Sequence, residues 1–258
     1  MSTTSWWSEL YDDAVADLLL QRKDPSALEQ TLAFLHDKLA LGDSGARVFD
    51  QCCGIGSLAL PLAARGHEVV AIDQAARYIE RARDAARAQA LELTLEVADA
   101  LAHRVGEPCD AAINWWTSFG YGPDDATNGR MLTGAFASLR PGGLFALDTM
   151  NLPGVLRGFQ RDVAVSGESR GEEITLLRRS RLDLASGTML KTWTLIDAAG
   201  QRRCHESAVR LYMPHRLVEL LEAVGFVDIT LYGDVHGAPL ELDSPRCIAV
   251  ARRPEEAP

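Results

Sequence analysis

The stretch from Val48 to Asp73, VFDQCCGIGSLALPLAARGHEVVAID, decides how the rest of the chain is read. It opens on a short apolar run, passes through a turn carrying Gly54 and Gly56, continues as an amphipathic segment and closes on a second apolar run that ends in an acid. Val48-Phe49 ahead of two glycines predicts a strand entering a loop whose backbone must come close to something, since glycine lacks the Cβ that would block that approach. Ser57 is placed to cap a helix running to Ala64, Gly66 to end it, and Val69 to Ile72 to form the next buried strand. This is a β-α-β unit, with a parallel sheet to follow.

Two cofactor classes use such a unit. Gly54-Ile-Gly56-Ser-Leu-Ala59 satisfies the loose dinucleotide pattern, and Asp73 lies near the position where an acid takes a ribose hydroxyl. Asp50 discriminates between them. At the mouth of the first strand its carboxylate would repel the pyrophosphate that the loop would hold for NAD. S-adenosylmethionine has no phosphate and carries a sulfonium and an ammonium, which a carboxylate favours. The pattern Asp-x-x-x-Gly-x-Gly therefore points to the methyl donor and away from a nicotinamide oxidoreductase.

With these residues the chain resembles the class I S-adenosylmethionine-dependent methyltransferases, in particular a bacterial small-molecule branch whose loop reads Asp-x-x-Cys-Gly-x-Gly. The likeness continues through Asp73, Arg77-Tyr78-Ile79, Asp99, Asn114 to Tyr121, Leu139 to Gly143, Asp148 to Asn151, Arg210 to Tyr212 and Tyr232 to Asp234. The fold it implies is α/β: a Rossmann-like seven-stranded sheet with helices on both faces, an N-terminal helical cover and an inserted antiparallel β meander after strand five. Residues 1–45 are the expected cover, 46–152 the S-adenosylmethionine-binding core, 153–213 the insertion and 214–258 a C-terminal helix and hairpin completing the sheet. The implied activity is methyl transfer to nitrogen or oxygen of a small molecule in bacterial secondary metabolism, a form of natural product biosynthesis. A reading from another class is a protein that binds the donor without transferring its methyl, either pericyclase-like or a noncatalytic subunit. Where the family's loop carries its first glycine this chain has Cys52, so an ordinary backbone conformation is expected there.

Composition agrees with one large α/β domain. At 258 residues a core forms without a staple, and a net charge of −10 spread along the chain argues against a nucleic-acid surface. The five cysteines include no Cys-x-x-Cys pair, which suits a reducing cytoplasm. No signal-peptide pattern or membrane-length apolar run is present, so a cytoplasmic protein without a membrane partner is expected.

Before the first strand the pattern predicts a helix from Glu9 to about Leu20 and another from Pro25 to Leu41, capped by Asp24. Further helices are expected over Ala75–Ala90, Asp124–Leu139 and Pro214–Val224, and strands over Glu92–Val97, Asp110–Trp116, Leu144–Asp148, Phe226–Gly233 and Arg246–Ala251. Between Val163 and Met213 period-two runs are separated by turn chemistry at 185–187 and 197–200, which is the meander. Its buried face does not follow from the residues, because Lys191, Trp193 and Leu195 alternate with Thr192, Thr194 and Ile196.

The resemblance assigns the donor to Tyr11, Asp50, Cys53, Gly54, Gly56, Asp73, Gln74, Tyr78, Asp99, Ala100, Asn114 and Trp115. Asp99 is expected to read the adenine amino group, a donor that suits an acceptor-only side chain; the competing account is a loop aspartate capping residues 100–103. The acceptor is expected near Trp116, Ser118, Phe119, Tyr121 and Asn151 at the carboxyl ends of strands four and five, with Trp193 and Arg210 from the meander. His205 is the candidate base and Tyr11 a second catalytic candidate within the cover, beside Trp6 and Trp7. No metal site is expected. The meander either shapes acceptor choice or joins two copies of the chain.

Overall fold

In the computed structural model, which describes residues 6–21 and 24–255, the expected first helix is broken into pieces. Trp6–Leu10 (α1) stops at Tyr11, and Asp12, in extended conformation, caps Asp13–Val15 (α2) by accepting from the Val15 amide at 3.0 Å. A π-helical turn, Ala16–Leu20, follows. An aspartate that caps cannot also continue a helix, which is why apolar periodicity alone overstated its length. Pro25–Lys38 (α3) begins as expected, with Asp24 accepting from the Ser26 amide at 2.9 Å.

The core alternates Arg47–Gln51 (β1), Ala59–Ala64 (α4), Glu68–Asp73 (β2), Ala76–Ala88 (α5), Thr94–Val97 (β3), Cys109–Asn114 (β4), Asp125–Ser138 (α6) and Leu139–Met150 (β5). After a short helix that the sequence reading did not foresee, Leu152–Arg157 (α7), come the four strands of the insertion: Asp162–Ser169 (β6), Glu172–Asp183 (β7), Thr188–Asp197 (β8) and Arg202–Arg210 (β9). Pro214–Val224 (α8), Val227–Tyr232 (β10) and Arg246–Arg252 (β11) complete the chain.

The main sheet has seven strands in the order β10-β11-β5-β4-β1-β2-β3. β11 runs antiparallel to both of its neighbours, and the remaining pairs are parallel. Alternation along β1 sends Val48 into one apolar layer with Leu32, Leu62 and Ile79 from α3, α4 and α5, and Phe49 into another with Leu132 and Leu217 from α6 and α8. Helices therefore cover both faces. Because β1 is flanked by β2 on one side and β4 on the other, the order reverses there and leaves a crevice beyond their carboxyl ends.

Two local expectations are overturned. Ser57 does not cap α4: its hydroxyl donates to the Leu20 carbonyl at 3.2 Å, which ties the core loop to the N-terminal segment instead. Cys52 is not in an ordinary conformation but at φ +69°. The turn leaving β1 demands a left-handed residue whatever side chain occupies it, and a non-glycine residue there costs on the order of 1–2 kcal/mol.

The insertion forms a separate antiparallel sheet in the order β6-β7-β8-β9. Its buried face is the odd-numbered one on β8: Trp193 and Leu195 pack with Ile174 and Leu176 against Leu10, Ala14 and Val15 of the N-terminal segment. The end of β9 is pinned to the loop after β4 by the Arg210 amide, which donates to the Gly120 carbonyl at 2.7 Å. Only glycine fits there, since φ is +101° and a Cβ would lie 2.3 Å from the Arg210 oxygen. No helix among the described residues is long and apolar enough to cross a membrane.

Candidate active site

At the reversal of strand order lies a cavity floored by Cys52, Cys53 and Gly54 from the turn after β1. Asp73, Gln74 and Tyr78 form one side with Asp99, Ala100 and Leu101; Trp115, Trp116, Ser118 and Tyr121 form the other; Trp7, Tyr11 and Leu20 roof it.

On the first side Asp73 organises the loop. One carboxylate oxygen accepts from the Gly54 amide and the other from the Ala75 amide, both at 2.9 Å. Each oxygen retains a second lone pair, so two hydroxyls of a ligand can still be bound. Burial raises the Asp73 pKa, while the two amides favour its charged form. Asp99 lines the cavity and also accepts from the Leu101 amide at 2.9 Å, so it both caps the turn and faces the crevice. Asp50 is not in the wall. It is 2% exposed beneath the loop, its charged form is favoured by the Ala59 amide, and burial together with the charge of Asp73 pushes its pKa up to about 7. The expectation that it meets the donor directly is corrected accordingly. Gly56 is also outside the wall: a Cβ there would press on Leu60 and Ala82 at 3.1 and 3.3 Å, so this glycine serves helix packing.

The opposite side is strained. Trp116 and Thr117, neither a glycine, stand at φ +57° and +65°, a conformation that costs on the order of 1–3 kcal/mol per residue and persists only where surroundings enforce it. Asp148 and Arg246 enforce it. The Trp116 amide donates to the Asp148 carboxylate at 2.9 Å and the Thr117 amide to the Asp148 carbonyl at 3.1 Å. Arg246 grips both oxygens of that carboxylate at 2.7 and 2.6 Å and donates to the Thr117 hydroxyl at 2.8 Å.

The roof is aromatic. Tyr11 and Tyr121 are hydrogen-bonded hydroxyl to hydroxyl, their rings stacked at 10° with centroids 6.3 Å apart, and Trp6 packs 4.8 Å from Tyr121. The Tyr78 hydroxyl donates to the Asp12 carbonyl at 3.0 Å. Arg81 pairs with Asp13 and Asp17, and Arg203 with Asp12, so the segment is strapped to both the core and the meander. Burial raises the Tyr11 pKa well above the usual phenol value and that of Tyr121 to about 12. Both phenols stay neutral at physiological pH and act by hydrogen bonding.

Several other expected site residues lie elsewhere. Asn114 donates to the Gln51 side chain at 2.9 Å within the sheet. Phe119 packs on Tyr212 in the core. Asn151 holds the loop before β11, donating to the Glu241 and Ser244 carbonyls at 3.0 Å. Arg210 pairs with Asp125 at 2.6 Å and donates to the Ser186 carbonyl. Trp193 is buried against the cover segment, and His205, opposite it on β9, shares that face rather than the cavity. Asn114, Phe119, Asn151 and Arg210 stand at or just beyond strand ends, but they point into packing, hydrogen bonds or an ion pair that strand position does not reveal. Conversely Cys52, Leu20, Ile55 and Met131 line the cavity without having been expected there. Leu20 had a trace in the sequence, as the last apolar position of the cover pattern; Met131, midway along α6, had none.

Residues 48–143 match the family model described as a methyltransferase domain. No curated protein matches the chain in sequence. Among solved structures, the CcbJ methyltransferase from Streptomyces caelestis superposes with a TM-score of 0.76 at 19% identity, covering 94% of this chain and 97% of that one. The sugar N-methyltransferase KedS8 from Streptoalloteichus gives 0.73 at 21% identity, covering 99% and 98%. CalS10 of Micromonospora echinaspora, an amino pentose methyltransferase solved with S-adenosylmethionine bound, gives 0.69 at 20% identity, covering 95% and 98%. At such identities these structures speak for the fold.

Proposed function

Starting from a chain that is a class I S-adenosylmethionine-dependent methyltransferase, we propose that it methylates a nitrogen, or in second place an oxygen, of a small molecule in bacterial secondary metabolism. The observation that carries this reading is the placement of Asp73 and the Tyr11–Tyr121 pair on opposing parts of one cavity. Asp73, with lone pairs left after serving two amides, fits the ribose hydroxyls of the donor, and Asp99 with Tyr78 fits its adenine end. When bound, the donor supplies an activated methyl on sulfonium. What remains for the protein is to align a nucleophile and exclude water, and alignment alone contributes on the order of 7–11 kcal/mol in favourable cases.

Tyr11 and Tyr121 are assigned that alignment, with Trp116 and Ser118 beside them. Neutral phenols hold an amine through its hydrogens or lone pair without stripping a proton, which suits a nitrogen that already has a free pair. His205 has no part in this account. The cover of residues 1–45 is read as the water-excluding roof and the insertion of 153–213 as the outer boundary of the acceptor space. Support for a nitrogen acceptor and for secondary metabolism comes from solved structures of similar fold, among them a sugar N-methyltransferase, an amino pentose methyltransferase of calicheamicin biosynthesis and a glycopeptide N-methyltransferase.

The test is a panel of amino sugars and their hydroxyl counterparts incubated with the protein and trideuteromethyl-labelled donor, with products read by mass spectrometry. Label on an amine is the expected result. Donor binding with no transfer to any amine or hydroxyl, while a reference methyltransferase labels the same panel, would contradict it and favour the noncatalytic reading.

A further inference from the structure

The inner face of the four-stranded sheet carries a group of side chains that methyl transfer leaves unused. Arg178 on β7 lies opposite Trp193 on β8, which lies opposite His205 on β9, and Lys191 is two residues from Trp193, so all four project to one side. The Arg178 guanidinium and the Lys191 ammonium both stand over the Trp193 ring, 5.7 and 5.6 Å from its centroid. Trp193 is buried and its ring N–H is taken by the Ser207 hydroxyl at 2.7 Å. Arg178 Nε and His205 Nε2 are buried and have no hydrogen-bond partner among the described residues. Among the described residues no carboxylate acts on either cation: burial alone shifts Arg178, and burial with the charge of Arg178 shifts Lys191.

Two cations side by side on a half-buried apolar face, with no anion between them, are costly to keep. Burial and the neighbouring charge of Arg178 lower the Lys191 pKa to about 8, which is the same penalty seen from the proton's side. An aromatic ring offsets part of it, since a cation over an indole face is attracted by the ring quadrupole. The N–H groups left over call for oxygens.

The position of the group gives those oxygens a source. Met189, two residues before Lys191, packs in one apolar cluster with Trp6 and Tyr121, and Trp193, two residues after, packs in another with Trp6 and Tyr11. The strip of β8 from Met189 to Trp193 therefore starts where the aromatic roof of the cavity ends. We propose that Arg178 and Lys191 form an anion-binding subsite that anchors a phosphate or carboxylate group of the acceptor, some distance from the atom that is methylated. Its assignment to the acceptor rests on the methyltransferase reading; the binding of an anion does not.

The experiment is calorimetric titration of the full chain, saturated with S-adenosylhomocysteine, with inorganic pyrophosphate and separately with succinate, on wild type, Lys191→Met, Arg178→Met and Lys191→Arg. Wild type binds at least one of the two probes. Either methionine variant weakens that binding by roughly tenfold or more, as loss of a charge-assisted hydrogen bond requires, and Lys191→Arg keeps it within about threefold of wild type. Pyrophosphate binding alone identifies a phosphate-bearing acceptor, and binding of succinate extends it to carboxylates. The affinity for S-adenosylhomocysteine, unchanged across the set, certifies that the variants are folded. No binding of either probe to wild type, or equal affinity in wild type and both methionine variants, would overturn the proposal. If S-adenosylhomocysteine itself fails to bind, the methyltransferase reading fails, and the same anion titrations on the unliganded chain still decide the subsite.

Discussion

On the Gly54–Asp73 side of the cavity, order comes from residues of a single β-α-β unit: Asp73 takes the amides of Gly54 and Ala75, 19 and 2 positions away. On the Trp116–Thr117 side, two left-handed residues are held by Asp148 on β5 and Arg246 on β11, the latter 129 positions from Thr117. The first wall is local, held by two amides on one carboxylate, and Cys52 is its one non-glycine residue at positive φ. The second is a product of the finished sheet, held in a costly backbone conformation by a charged pair. A binding function common to many proteins can be carried by the local unit, whereas a wall clamped from two distant strands can vary with the acceptor without disturbing the donor. On the reading proposed above, donor binding falls to one side and acceptor geometry to the other.

Breaking the clamp is expected to have the largest effect. Arg246→Met leaves the Asp148 carboxylate, 1% exposed, without its cation, and removing one partner of such a pair costs about 3–5 kcal/mol. Urea denaturation should show that loss, and the double variant with Asp148→Asn should recover most of it. Folded Arg246→Met should still bind S-adenosylhomocysteine at close to native affinity; a collapse of donor affinity instead would merge the two walls into one.

A smaller effect probes the donor side. Asp50 keeps its proton up to about pH 7 in the folded chain, whereas its ordinary value is 3.8. Its contribution to stability is therefore fully present below pH 3.8 and lost as pH rises through about 7. Asp50→Asn should remove that loss, so its stability relative to wild type improves between about pH 4 and 7 and levels off above that, by up to a few kcal/mol. Parallel stability curves across that range would show that Asp50 is ionised without penalty.

The smallest is at the seam between wall and roof. Tyr78→Phe removes the bond to the Asp12 carbonyl and should cost about 0.5–1.5 kcal/mol. Hydrogen exchange should quicken over residues 12–20 and stay unchanged over β2. Quickening in β2 as well would mean that the roof is part of the donor wall.

The same contrast explains what could be read from the chain. Val48 to Asp73 is legible because apolar runs, Gly54, Gly56 and a terminal acid lie next to one another and act on one another. Asp24 and Gly225 are legible as helix ends because capping is local. Trp116 and Thr117 carry no mark of a left-handed turn, since nothing in a Trp-Thr pair asks for one; the demand comes from β5 and β11. Cys52 misleads because its side chain carries no mark of the left-handed conformation that the turn leaving β1 demands. The inner face of the meander is illegible because Arg178, Lys191 and His205 share it with Leu176 and Leu195, so period-two hydropathy cancels. Asn151 and Arg210 stand at strand ends where ligands bind in such sheets, and only the finished fold shows them occupied with backbone carbonyls and Asp125.

The division of the cavity into a donor wall and an acceptor wall is tested most directly by calorimetry of S-adenosylhomocysteine with Asp73→Ala and Tyr121→Phe, since neither titration needs the acceptor to be known. Losing the charged hydrogen bonds of Asp73 removes about 1.5–3 kcal/mol, so Asp73→Ala should bind more than roughly tenfold more weakly. Tyr121→Phe should stay within about threefold of wild type, under 1 kcal/mol. Undiminished affinity in a folded Asp73→Ala, or a loss in Tyr121→Phe as large as that in Asp73→Ala, would contradict the account.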